Sequence, residues 1–367
     1  MNIGRVRSAG MAGRALIAFG AVALGAGLMT QTASAADEQR WKLQTAFPTK
    51  LPALGSPAKY LADNVNAASH GDIEIRVFEP DKLVPTLDII DAVSSGKIAA
   101  GYSATAYEQG QVPAASLFNS PPFGMKPWTF MAWYYHGNGH ELLQNTFEQE
   151  GFNIHAELCG ITGPETAGWY KNPITSVEDY KGMKIRFAGL GSRVVEKFGA
   201  SVTLMSGSKL YQALELGTLD ATEFSMPMID KLLGFQDVAP YNMFPGWHAP
   251  ANAVYLFVNG DTWDETPEPT RTLIKNVCRA STAISMSKNE YENGIVLQTY
   301  EDKAVKIREI PDDVLKELRR VSREVLEAEA ETDENFKKIW ESQKAFMRAH
   351  AKWERLAHVP DDMRITD

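Results

Sequence analysis

Ile73-Glu74-Ile75-Arg76-Val77-Phe78, then Asp88 to Ser95 with Ile89, Ile90 and Val93, then Gly96, then Gly101 to Thr105: the fold class turns on this stretch. The first segment alternates apolar and polar residues with period two and predicts a half-buried strand. The second carries apolar residues at helical spacing and a glycine to stop it, and the third returns to an extended run. Strands separated by helices of about ten residues imply βαβ units and a parallel sheet. Toward the N-terminus, Trp41 to Thr45 predicts another strand, followed by Pro48, Pro52 and Gly55 and a helix from about Ala58 to Ala68. Toward the C-terminus a second series follows. It comprises a strand near Phe152 to Leu158, one at Gly168-Trp169-Tyr170, a capped helix at Ser176 to Asp179, a strand from Met183 to Phe187 and a helix from Ser192 to Phe198. From Thr270 onward the chain reads as almost wholly helical, through Leu315-Lys316-Glu317-Leu318 to Trp353. The expectation is an α/β protein with two lobes and a helical C-terminal region.

The first 35 residues read as a secretory leader. Arg5, Arg7 and Arg14 form a positive region, an apolar run extends from Ala15 to about Met29, and Ala33-Ser34-Ala35 offers a cleavage site. Roughly 15 apolar residues fall short of the roughly 20 needed to span a bilayer, so a mature chain starting near Ala36 is expected in a periplasm. The formal net charge is -9 before the three leader arginines are lost, which argues against nucleic acid or an anionic membrane surface as partner. Only Cys159 and Cys278 are present, so this is no disulfide-dense scaffold. The oxidising compartment permits one bridge, and two separate buried thiols are the alternative.

The chain resembles the extracytoplasmic solute-binding proteins of tripartite ATP-independent periplasmic (TRAP) transporters over essentially the whole mature length. The resemblance rests on Leu83-Val84-Pro85 leading into Leu87 to Val93, on Pro122-Phe123-Gly124, on Gly182 to Arg186, and on Tyr211 to Leu214 with Gly217 to Ala221. Trp133 to Gly137, Gly168-Trp169, Glu223 and Pro245-Gly246-Trp247-His248 are most similar to the branch that binds 2-oxo acids and related monocarboxylates. The resemblance implies a two-lobed periplasmic-binding-protein fold, type II-like. It would close around one small organic anion and deliver it to membrane permease subunits. The expected division is a leader at 1–35, lobe I at 36–160 and 250–300, lobe II at 161–249, and C-terminal helices at 301–367. A sensor partner using the same ligand-binding fold is the alternative role.

Arg186 ends a predicted strand, and the carboxyl ends of strands in open α/β sheets face the crevice where ligands bind. A guanidinium there can hold a carboxylate through two parallel hydrogen bonds, or form a structural ion pair. The resemblance implies the carboxylate clamp. It also implies that the position matching Glu165, typically glutamine, helps hold a cation with Glu223 and the backbone carbonyl of Phe224. Here that amide is a carboxylate, and Phe224 stands for a usual tryptophan. Two carboxylates beside a substrate carboxylate repel unless a cation intervenes, which favours Ca²⁺ over Na⁺. Alternatively, Glu165 meets a cationic or hydroxyl group on a different ligand and no metal binds. Trp169, Phe187, Phe224 and Trp247 are candidate pocket walls, and Tyr102 and Tyr107 candidate hydroxyl donors.

Three chemistries are declined. Gly189-Leu190-Gly191 lacks the third glycine of a dinucleotide fingerprint, because Val194 occupies it. His136 and His140 have the spacing of zinc ligands, yet Gly137-Asn138-Gly139 between them works against the helix that would bring them together. No nucleophile-base-orienter arrangement and no Gly-x-Ser-x-Gly elbow appears, so a binding protein without a catalytic cofactor is expected, not an enzyme. Residues 334–359 carry Phe336, Ile339, Trp340, Phe346, Met347, Trp353 and Leu356, more apolar surface than a free tail exposes. It packs either on the same chain or on a second copy as a homodimer.

Overall fold

The computed structural model describes residues 39–301, 305–359 and 363; the expected leader and its cleavage site lie outside the described residues. The first segment follows the βαβ expectation. β1 (Gln39–Thr45), α1 (Ser56–Ala68), β2 (Ile73–Phe78), α2 (Ile89–Ser94) and β3 (Ala100–Ser103) place β1 between β2 and β3, parallel to both. The buried amide of Gln44 accepts from the Leu83 and Val84 amides and donates to the Val84 carbonyl at 2.8 Å, which pins the Leu83-Val84-Pro85 turn beside β1. After α3 (Pro127–His136) and α4 (Gly139–Gln149), β4 (Ile154–Thr162) closes one edge of this sheet.

The chain then builds a second sheet. β5 (Gly168–Tyr170), β6 (Lys184–Arg186), α5 (Leu190–Lys197), β7 (Ser201–Thr203), α6 (Leu210–Glu215), β8 (Ala221–Thr222), α7 (Pro227–Leu233) and β9 (Tyr241–Phe244) follow in order. β10 (Asn252–Asn259) returns to the first sheet, giving the order β2-β1-β3-β10-β4. Then come α8 (Gly260–Glu265), α9 (Glu268–Glu301), β11 (Lys306–Glu309), α10 (Asp312–Thr332) and α11 (Glu334–Leu356). The second sheet runs β11-β9-β5-β8-β6-β7.

Two expectations are corrected here and a third is refined. Both sheets are mixed, not parallel: β10 runs antiparallel to β3 and β4, and β5 antiparallel to β8 and β9. β10 enters from the opposite sheet and so runs against its neighbours. Its unbroken apolar run Ala253 to Val258 is buried throughout, as a central strand covered on both faces requires. The region after Thr270, read as almost wholly helical, is so among the described residues apart from β11, an edge strand too short for its alternation to stand out. The capped element at Ser176 has its reciprocal capping box with Asp179 but continues for only one 3₁₀ turn, Val177–Tyr180.

Cys159 of β4 and Cys278 of α9 form a disulfide, with Cα atoms 4.1 Å apart. α9 packs on β4, α1 and α7. α10 buries Val314, Leu318, Val321 and Val325, one helical stripe, in the apolar cluster of the second sheet. α11 is capped by the Asp333 carboxylate and buries Phe336, Ile339, Trp340 and Gln343, the last donating to the Leu117 carbonyl at 2.8 Å. Phe346 and Met347 pack partly against the same core, while Trp353 and Leu356 stay exposed. Two links between the sheets, residues 163–167 and 245–251, lie side by side, with the Glu165 amide donating to the Ala249 carbonyl at 3.0 Å. Gly246 permits this approach, since a Cβ there would sit 2.1 Å from the Glu165 carbonyl oxygen.

Candidate functional site

β6 and β8 are parallel, with Arg186 opposite Thr222, so Arg186 and Glu223 leave the sheet together at its carboxyl edge. The Arg186 Nη1 lies 2.6 Å from Glu223 Oε1 and donates also to the Glu223 carbonyl at 2.9 Å; its Nε donates to the Met205 carbonyl at 3.0 Å. The Ala188 amide donates to the same carboxylate oxygen at 2.5 Å, and the guanidinium lies over the Phe224 ring at 5.3 Å. Both charged side chains are almost fully buried, at 2% and 3% exposure. Each charge out of water needs such partners to persist.

The two links supply the other half of the site. Glu165 Oε1 accepts from Asn252 Nδ2 at 2.7 Å, and its Oε2 lies 3.2 Å from His248 Nε2. That same imidazole nitrogen is 3.7 Å from Glu223 Oε2, so His248 stands between the two carboxylates. Burial alone would depress the His248 pKa, but hydrogen bonds to Glu165 and Glu223 and their charges outweigh it and push it up to about 9. Burial, with the neighbouring Glu223 charge, raises Glu165 despite its bonds from His248 and Asn252. Burial would raise Glu223 too, yet the Arg186 charge, His248 and the Ala188 amide together hold it below the usual carboxylate range. With both carboxylates ionised and His248 protonated, the four side chains sum to zero charge.

These groups border a small cavity, about 30 Å³, lined also by Phe47, Tyr107, Asn119, Ser120 and Gly189. Burial raises the Tyr107 pKa, against the lowering influence of the nearby Arg186 guanidinium. Of the residues singled out from sequence, Arg186, Glu165, Glu223, Phe224 and Tyr107 therefore converge. Trp169, Phe187, Trp247 and Tyr102 do not line the cavity. Trp169 donates to Asp230 at 2.9 Å inside the core, Phe187 and Trp247 belong to the apolar cluster of the second sheet, and Tyr102 is buried in the first. Alternation along a strand sends such rings into the packed layer as readily as toward an edge. His248 was missed as a charge partner although it follows Trp247 in a quoted motif, and Asn252 was missed at the mouth of the unrecognised β10. Nε and Nη1 of Arg186 already serve protein acceptors, which leaves Nη2 as the donor not engaged by them.

The donor set fits a hard cation: the Glu165 and Glu223 carboxylates lie within 4.8 Å of each other and of His248, and the Phe224 carbonyl is the expected third oxygen. Such an ion would supply the positive charge needed to hold a ligand carboxylate here.

A family model described as bacterial extracellular solute-binding protein, family 7, matches residues 48–333. The monocarboxylate 2-oxoacid-binding periplasmic protein of Nostoc sp. is 30% identical over 317 residues, which cover 86% of each chain. A TRAP transporter solute-binding protein from Bordetella bronchiseptica RB50, a mixed-occupancy dimer with copurified calcium and picolinate in its active site, superposes with a TM-score of 0.85. It is 28% identical and covers 87% of this chain and 95% of that one. A TRAP periplasmic solute-binding protein from Pseudoalteromonas atlantica T6c, with bound sodium and pyruvate, gives a TM-score of 0.84 at 33% identity, covering 87% and 97%.

Proposed function

The chain belongs to family 7 of the bacterial extracellular solute-binding proteins, and from that premise we propose that it captures a small 2-oxo monocarboxylate together with a cation. It is a solute receptor of the TRAP type, extracytoplasmic and not an enzyme. The observation that supports the ligand class is the buried quartet of Arg186, Glu223, Glu165 and His248 that borders the cavity. The ligand carboxylate adds one negative charge to a balanced set. Sodium or calcium, each bound in one of the relatives, would offset the ligand charge beside Glu165, Glu223 and the Phe224 carbonyl. Arg186 would reach the ligand through Nη2, with the Tyr107 hydroxyl beside it.

The two sheets act in this proposal as lobes that close on the ligand, the links at 163–167 and 245–251 serving as hinges. The lobe boundaries expected from sequence are kept in the same proposal, with β11 of the C-terminal region added to the second lobe. Export to the periplasm with cleavage near Ala36, and delivery to membrane permease subunits, complete it. A homodimer through the exposed end of α11, where Trp353 is 66% and Leu356 64% exposed, is supported by the dimeric Bordetella relative. A monomer mass by light scattering would remove that last part.

A thermal-shift screen over 2-oxo acids, hydroxy acids and aromatic carboxylates tests the ligand class. At a concentration 100-fold above the dissociation constant, linkage stabilises by about 2.7 kcal/mol. A rise for pyruvate-like acids alone is expected, and no rise for any acid would refute the proposal.

A further inference from the structure

We propose a second metal site, remote from the cavity, in which His140 of α4 and His155 and Glu157 of β4 hold a divalent transition-metal ion, Zn²⁺ foremost. β4 is an edge strand, and His155 and Glu157, two residues apart, project from one face of it. His140 comes from the first turn of α4, which packs on that strand. His155 Nε2 lies 2.8 Å and His140 Nε2 3.5 Å from the same oxygen, Glu157 Oε1. The three prospective ligand atoms all fall within 4.8 Å of one another. Ligands about 2 Å from a tetrahedral ion are about 3.3 Å apart, so these separations need only small side-chain adjustments.

The rings are already set. His155 stacks face to face on Trp263 at 3.9 Å with 9° between planes, and Tyr134 meets the His140 ring edge-on at 5.6 Å. Side-chain exposure rises from 8% at Glu157 through 17% at His155 to 39% at His140, so an ion could enter from solvent and keep open positions on that side. Two imidazoles and one carboxylate suit Zn²⁺, Cu²⁺ or Ni²⁺, whereas the oxygen-rich cavity suits Ca²⁺ or Na⁺. The spacing that drew attention to His136 and His140 pointed to the wrong partner. His136 ends α3, and β4 supplies the companions of His140. An ion here would tie the start of α4 to an otherwise open sheet edge.

Calorimetric titration of the metal-free mature chain with ZnCl₂ tests this. Wild type and Glu165→Gln should both bind an equivalent of Zn²⁺ that His140→Ala and His155→Ala lose or bind at least about tenfold more weakly. Co²⁺ should give a visible d–d absorption that His140→Ala abolishes. His140 is exposed enough that its alanine variant should keep the wild-type melting curve in chelator, while only wild type gains stability with Zn²⁺. Superimposable Zn²⁺ isotherms for wild type and His140→Ala, or no Zn²⁺ binding at all, would overturn the proposal. Neither result bears on carboxylate binding, which is read separately with pyruvate.

Discussion

Arg186→Ala should unfold far more easily than wild type even with no ligand present. The substitution strips Glu223 Oε1 of its 2.6 Å partner while leaving that carboxylate at 3% exposure, and it orphans the Met205 carbonyl and leaves the Glu223 carbonyl with only the Thr222 hydroxyl. Removing one partner of a buried ion pair costs about 3–5 kcal/mol, mostly through the uncompensated charge left behind. Arg186→Lys should recover little, since one ammonium cannot reach the Met205 carbonyl, the Glu223 carbonyl and the Glu223 carboxylate in the guanidinium geometry. The double variant Arg186→Met with Glu223→Gln removes both charges at similar volume and should regain most of the loss. Urea denaturation followed by circular dichroism, run as a double-mutant cycle, reads all of this. The double variant should nevertheless bind no 2-oxo acid. If Arg186→Ala keeps the wild-type midpoint, or if the double variant is no more stable than the single, the pair does not carry the energetics assigned to it.

Four further outcomes follow from the same geometry. Replacing Cys159 and Cys278 by serine opens a loop of 119 residues and should lower stability by about 2–5 kcal/mol, read as a shift in the urea midpoint between oxidised wild type and the variant. Burial holds the Asp230 pKa well above the carboxylate range despite its bond from Trp169, so the native state keeps a proton that the unfolded chain releases above about pH 4. Stability from this group therefore falls as pH rises; melting temperatures from about pH 5 to about pH 8 should decline more steeply in wild type than in Asp230→Asn, and equal slopes would refute the assignment. Glu165→Gln should move cation preference toward Na⁺, measured as pyruvate affinity in sodium against calcium buffers. Gly246→Ala forces its Cβ onto the Glu165 carbonyl and should weaken pyruvate binding by shifting Glu165, whereas unchanged affinity would show that the two links can part freely.

The early part of the first sheet was legible because β1 and β2 alternate and a glycine follows α2. Gly96, with φ of +72°, stops α2 where the sequence placed the stop. β10 was not legible. An all-apolar run of six residues has no period, and its place between β3 and β4 depends on a return from the other sheet that no local signal records. Arg186 stood out at a strand end, a local fact, while its role as clamp and the choice of Glu165 and Glu223 came from the family resemblance. His248 needed the third dimension, since it enters the charge count only once the two links lie together. Trp169 and Trp247 went the opposite way from Phe224 and Tyr107: they sit next to cleft residues in sequence, but their rings belong to the packed layers.

The central claim is that carboxylate and cation bind together at the Arg186, Glu165 and Glu223 site, and calorimetry with pyruvate tests it most directly. The protein would be stripped with chelator and titrated in a buffer whose only cation is a bulky organic one, then again with Na⁺ and with Ca²⁺ restored. Like charges about 4 Å apart repel by roughly 4 kcal/mol at an effective dielectric near 20, so the account predicts affinity weaker by tenfold or more without an inorganic cation and restored by one. Equal pyruvate affinity in all three buffers would contradict it.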